Sequence, residues 1–142
     1  MHEGHSSASQ LLLLSPLFGQ LVTMSLAELP RSDRLSPPQM RALGVLIDHP
    51  GINVSQFAAA MGVATPTASV MATRMAATGL VDRGESQGRN VELRPSARGR
   101  AIFGAVAESM ARRLVAALKE DEAERIAETL PLVAAWLVRA TR

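Results

Sequence analysis

Residues 53–79 constrain the fold more than any other part of the chain. Asn53-Val54-Ser55-Gln56 has the form of a capping box, in which a cap side chain and a Gln three residues on satisfy each other's backbone amides. A short apolar run through Phe57, Ala58 and Met61 follows and stops at Gly62. After Gly62-Val63-Ala64, Thr65-Pro66 opens a second helix, with Pro near the helix start where its missing N–H costs nothing. That helix runs to Thr78 and ends at Gly79.

Two short extended runs come next, 80–83 and 90–94, separated by the polar, glycine-bearing turn 84–89. This predicts a hairpin. Helix, tight turn, helix and hairpin together make a helix-turn-helix with a wing. Elsewhere the periodicity is helical. Leu11, Leu14, Phe18, Leu21 and Ser25 recur at steps of three and four within 8–29, where Pro16 either starts a helix or kinks one. The polar residues 1–7 are expected to fray. Ser36 caps a helix carrying Met40, Leu43, Leu46 and Ile47, and Ser96 caps a long one reaching about Lys119. A last helix spans about 121–139, with Pro131 expected to kink or loosen it. The fold class is mainly α: a winged helix-turn-helix of about six helices plus a β-hairpin wing, in an intertwined helical dimer. The lobe is 35–96 and the dimerisation region is 1–34 with 97–142.

Composition removes several classes. Hydrophobic residues make up 47% of the 142 residues, enough for a core, while aromatics at 3% leave its volume to Leu, Val, Met and Ala, which suits packed helices. The absence of Cys excludes disulfides, thiolate metal sites and thiol switches. The three His lie at positions 2, 5 and 49, and no phosphate loop, zinc-protease motif or Ser-His-Asp pattern is visible, so neither an enzyme nor a cofactor or metal is expected. Of the 15 basic residues all but Lys119 are Arg, the side chain best matched to phosphate, but a net charge of +2 makes charge alone a weak pointer. Residues 6–27 carry no charge and are long enough to span a bilayer, yet polar residues interrupt them and no basic segment precedes them. A helix buried in an oligomer is the better reading, so no membrane partner is expected.

The second motif helix carries the functional expectation. At about 100° per residue, Ala68, Met71, Ala72 and Met75 share the core side. The opposite side holds Pro66, Val70, Thr73, Arg74 and Ala77, flanked by Thr67 and Ser69. Those side chains are small, several bear hydroxyls, and the Lys and Glu of an ordinary solvated helix are missing. A helix entering the major groove of double-stranded DNA needs such a surface. The expected contacts are Thr65, Pro66, Thr67, Ser69, Val70, Thr73 and Arg74, with Val70 able to touch a thymine methyl. Arg89 in the hairpin turn suits a narrow minor groove. Asn53 and Ser55, at the start of the preceding helix, suit a phosphate, although Asn53 serves equally as a plain cap. The rival reading is a winged helix that binds protein, which the modest charge permits.

These residues resemble the MarR family of transcription regulators. The family's Leu-Thr-x-x-Gln start appears as Leu35-Ser36-Pro37-Pro38-Gln39, and its short-helix pair as Phe57-Ala58. Its Pro-Thr-x-Ser helix appears as Pro66-Thr67-Ala68-Ser69 followed by Arg74-Met75. Gly79-Leu80, Arg83 and Pro95-Ser96-Ala97-Arg98-Gly99 complete the pattern. The resemblance implies a cytoplasmic homodimer built on the first and last helices. It also implies a repressor that binds pseudo-palindromic DNA and is released by a small lipophilic or aromatic effector. With Cys absent, sensing would fall to an apolar pocket, for which Met24, Ile47 and Phe103 are candidate lining residues. Two departures stand out. The family's wing Asp-x-Arg is here Gln87-Gly88-Arg89, so the Arg is kept without its carboxylate. The basic residues common at two recognition positions are here Thr65 and Val70.

Overall fold

Both Ser36 and Asn53 close full capping boxes, and these fix where two of the central helices begin. Ser36 Oγ accepts from Gln39 N at 3.3 Å while Ser36 N donates to Gln39 Oε1 at 2.9 Å. Asn53 Oδ1 accepts from Gln56 N at 2.8 Å, with Asn53 N donating to Gln56 Oε1 at 3.0 Å. A computed structural model describes residues 2–84 and 91–142 of the chain. The element order is α1 (His2–Ala27), a single 3-10 turn (Arg31–Asp33), α2 (Pro37–Asp48), β1 (Ile52–Asn53), α3 (Val54–Met61), α4 (Thr65–Ala77), β2 (Val81–Arg83), β3 (Glu92–Pro95), α5 (Ala97–Ala117) and α6 (Glu122–Ala140). This is a winged helix-turn-helix with six helices among the described residues. The chain divides into two units, 1–110 and 111–142.

In the first unit the core is built by the faces that periodicity selects. Met40, Leu43 and Leu46 of α2 meet Phe57 and Met61 of α3, Ala68, Ala72 and Met75 of α4, and Ile102 and Val106 of α5 in one buried cluster. The α3–α4 turn works because Gly62 takes the left-handed conformation at φ 68°, which ends α3 and lets Val63 N bond Ala58 O at 3.1 Å. Arg41 Nη2 donates to Met61 O at 2.8 Å, supplying a partner to a carbonyl in the last turn of α3.

Three features differ from the sequence reading. First, α1 begins at His2, so residues 2–7, expected to fray, are helical; no Pro precedes Pro16, and extending a nucleated helix costs little. Second, α1 closes with 3-10-type bonds from Glu28 and Leu29 to Ser25 and Leu26, two residues short of the expected end and just before Pro30. Third, a two-residue strand, β1, joins the hairpin in a three-stranded antiparallel sheet of order β1-β3-β2, pairing Ile52 with Leu93 and Asn53 with Glu92. Two residues are too few to show a period of two. Pro16 lies inside α1, the second of its two expected placements, and Pro131 lies inside α6 as expected.

The α5 start is stapled to the turn after α4. Ser96 Oγ donates to Gly79 O at 2.6 Å and accepts from Gly99 N at 2.9 Å, while Ser96 N donates to Leu80 O at 3.0 Å. Arg98 donates to Thr78 O, to Ser32 O at 2.8 Å and to Asp33 Oδ1 at 3.1 Å, tying the 3-10 turn to the end of α4. In the second unit, α6 buries no residue within the single chain.

Candidate nucleic-acid interface

The exposed face of α4 is set by the face it buries. Ala68 and Met75 are fully buried and Ala72 nearly so, which turns Pro66, Thr67, Val70, Thr73, Arg74 and Ala77 outward. Thr65 is exposed as well, Ser69 is half-buried, and Val70 keeps 51% of its surface in solvent. The helix therefore presents one slim strip of hydroxyls with an apolar centre and a single cation, as its periodicity predicts. No side chain caps its first turn.

Beside this strip lies a cleft of about 560 Å³. One wall is the α2 start, with Ser36, Pro38 and Gln39; the other is α4, with Pro66, Thr67, Val70, Met71 and Arg74. The α2 start is poorly suited to an anion. Pro37 and Pro38 have no N–H, and the Ser36 and Gln39 amides are taken up by the capping box. Arg74 is thus the cationic group among the cleft-lining residues.

The other candidates fall as follows. Asn53 is half-buried with its Oδ1 engaged by Gln56 N, so its capping role is filled, and Ser55 beside it is exposed. Arg89, with Gln87 and Gly88 of the wing turn, lies outside the described residues. Met24 is 43% exposed on α1, while Ile47 of α2 and Phe103 of α5 are half-buried. Phe103 packs over the backbone of Gly44, one helical turn from Ile47; a Cβ at Gly44 would lie 3.3 Å from its ring. None of these three lines the cleft described above.

Arg83 is tied to the exposed strip of α4, a neighbour that sequence reasoning misses. It is the last residue of β2, and its Nη1 donates to Thr73 Oγ1 at 3.1 Å. A ten-residue separation across a helix end and a turn has no periodic signature, so only the folded chain shows the pair. The three residues on the α2 wall of the cleft are likewise legible in the sequence only as a helix start.

A model of the MarR family matches residues 35–89, from just before α2 to beyond β2. Solved structures share the fold over nearly the whole chain. A MarR family protein from Bacillus stearothermophilus is 24% identical, with 98% of each chain covered and a TM-score of 0.75. The MarR family protein RV2887 of Mycobacterium tuberculosis, in complex with p-aminosalicylic acid, is 22% identical, covering 89% of this chain and 97% of that one at a TM-score of 0.67. A MepR variant of S. aureus, bound to an oligodeoxyribonucleotide, is 21% identical over 92% of this chain and 97% of that one, with a TM-score of 0.62. A search of curated protein sequences finds no significant relative.

Proposed function

We propose that the chain, whose residues 35–89 match the MarR family model, is a transcription regulator of that family, a cytoplasmic repressor binding pseudo-palindromic DNA as a homodimer. The observation that carries this reading is the exposed strip of α4: small, hydroxyl-bearing, centred on Val70, cationic at Arg74 and free of acids. Such a surface suits the floor of a major groove. The oligonucleotide bound to the similar MepR fold lends support. Thr65, Pro66, Thr67, Ser69, Val70 and Thr73 face the bases in this reading, Arg74 meets a phosphate, Asn53 and Ser55 flank the backbone, and Arg89 reaches the minor groove.

Sequencing DNA fragments selected by the purified protein tests it. Enrichment of a pseudo-palindrome with half-sites about 10 bp apart is expected. Replacing Arg74 by Ala should weaken binding to all fragments alike and lower the slope of log affinity against log salt by about one. Failure to enrich any DNA would favour a protein-binding winged helix instead.

The dimer follows from apolar surface left open. Leu12, Leu13, Leu17 and Phe18 of α1 are each more than 60% exposed, and α6 exposes Ile126, Leu130 and Leu137. Apolar surface on that scale calls for a cover, and a second copy is the commonest one. The same copy accounts for Ser7–Ala27, which by length and composition alone is apolar enough to cross a membrane. Sedimentation at micromolar concentration should show a dimer; a monomer would remove this part of the proposal. Release by a small lipophilic or aromatic effector is proposed on the p-aminosalicylic acid complex of RV2887, with Met24, Ile47 and Phe103 as the residues it would meet.

A further inference from the structure

Thr73 sits on the outward strip of α4, and its hydroxyl is used differently from those of Thr78, which follows the same helix, and Thr129 of α6. Thr78 Oγ1 donates back to Arg74 O at 3.1 Å, and Thr129 Oγ1 to Arg125 O at 2.6 Å. Such back-bonding uses up the one hydrogen a hydroxyl owns. Thr73 Oγ1 instead accepts, from Arg83 Nη1 at 3.1 Å. A guanidinium has only donors, so this bond occupies a lone pair and leaves the hydroxyl hydrogen available. Arg83 is itself firmly placed. Its backbone pairs with Leu93 in the sheet, and the next residue closes the ladder with Gly84 N on Glu92 O at 2.8 Å.

Building on the DNA-binding reading above, we propose that Arg83 is a positioning residue that sets Thr73 as an outward hydrogen-bond donor, so that Thr73 selects acceptor edges in the major groove. The acceptors there are N7 and O6 of guanine, N7 of adenine and O4 of thymine; the amino groups of cytosine and adenine are donors and are disfavoured. The same bond joins the strand leading into the wing to the middle of α4, so the two parts meet DNA in a fixed relation. Arg83 thereby contributes to specificity without having to touch a base.

The test is a selection profile and an affinity series on the enriched DNA, using the full-length protein and the variants Arg83→Met, Thr73→Val, their double and Thr73→Ser. Each of the first two should lower affinity about tenfold, the scale of one hydrogen bond to a charged group. Each should also flatten the base preference at one and the same position of the half-site. The double variant should be no worse than either single within about twofold, since both remove one interaction. Thr73→Ser keeps the hydroxyl and should keep the preference. Thermal midpoints should stay level because both side chains are exposed. Additive losses, or a uniform loss from Arg83→Met with the base preference intact, would show a plain phosphate contact and overturn the proposal alone. Absence of any DNA binding by the unmodified protein would remove the regulator reading and this proposal with it.

Discussion

Replacing Gly99 by Ala should destabilise the folded protein by about 2–3 kcal/mol, the upper part of the range for forcing a group into a filled core. A Cβ at this position would lie 2.3 Å from Leu80 O and 3.0 Å from Leu43 Cδ2. The leucine side chain can shift by rotating, but the carbonyl cannot. Leu80 O already accepts from Ser96 N at 3.0 Å, and Leu80 N is held by Met75 O at 2.9 Å. Moving α5 outward would also strain the bonds of Ser96 Oγ to Gly79 O and Gly99 N. The substitution must therefore break one part of the staple between α4, β2 and α5. Gly104 is the matched control. It lies in the same helix, and a Cβ there would meet nothing within 4 Å, so Gly104→Ala should stabilise by roughly 0.5–1 kcal/mol through helix propensity. Urea unfolding of both variants reads the contrast. Equal midpoints for the two would mean that α5 does not approach Leu80 closely enough to exclude a methyl group.

Replacing Val70 by Glu should lower affinity for the selected DNA at least about 100-fold, near 2.7 kcal/mol, because like charges brought together at an interface cost several kcal/mol. Two effects act in the same direction. The carboxylate would enter the strip at its apolar centre, where a groove presents phosphates on either side. It would also stand four residues before Arg74, the favourable orientation for a helical ion pair, and so draw off the cation of the cleft. Stability should hold or rise slightly, since Val70 is 51% exposed and Glu is the better helix former. Val70→Thr, equal in shape and uncharged, should change affinity only a few-fold if van der Waals contact is what Val70 supplies. Fluorescence anisotropy on labelled DNA, beside thermal melts, separates binding from folding. A Val70→Glu protein that melts normally and binds as tightly as the original would place the reading face elsewhere.

The motif lobe is legible in the residue order because its signals are local. A cap acts on an amide three residues away, so Ser36 and Asn53 can be assigned from spacing alone. Helical periodicity identifies Ala68, Met71, Ala72 and Met75 as the inner side of α4, of which three are buried and Met71 is half-buried on the cleft wall, and the outer side follows by exclusion. The hairpin is legible as two runs, while the residues of its turn, Arg89 among them, lie outside the described part of the chain.

What the amino-acid sequence determined by itself is the six helices and the two hairpin strands, the inner and outer sides of the helices, and the chemistry carried on α4. All of these depend on residues within one or two helical turns of each other. Only the tertiary structure decided that β1 joins the sheet, that Arg83 holds Thr73, that the α2 start and α4 enclose a cleft, and that Gly99 lies against Leu80. Each is a meeting of atoms distant along the chain. Such meetings depend on how the helices settle when their apolar faces are buried together, and burial is non-directional. The pattern of apolar residues says which faces must be covered, but the resulting distances, 3.1 Å between Arg83 and Thr73 or 2.3 Å from a Cβ at position 99 to Leu80 O, emerge only once all the faces pack at once.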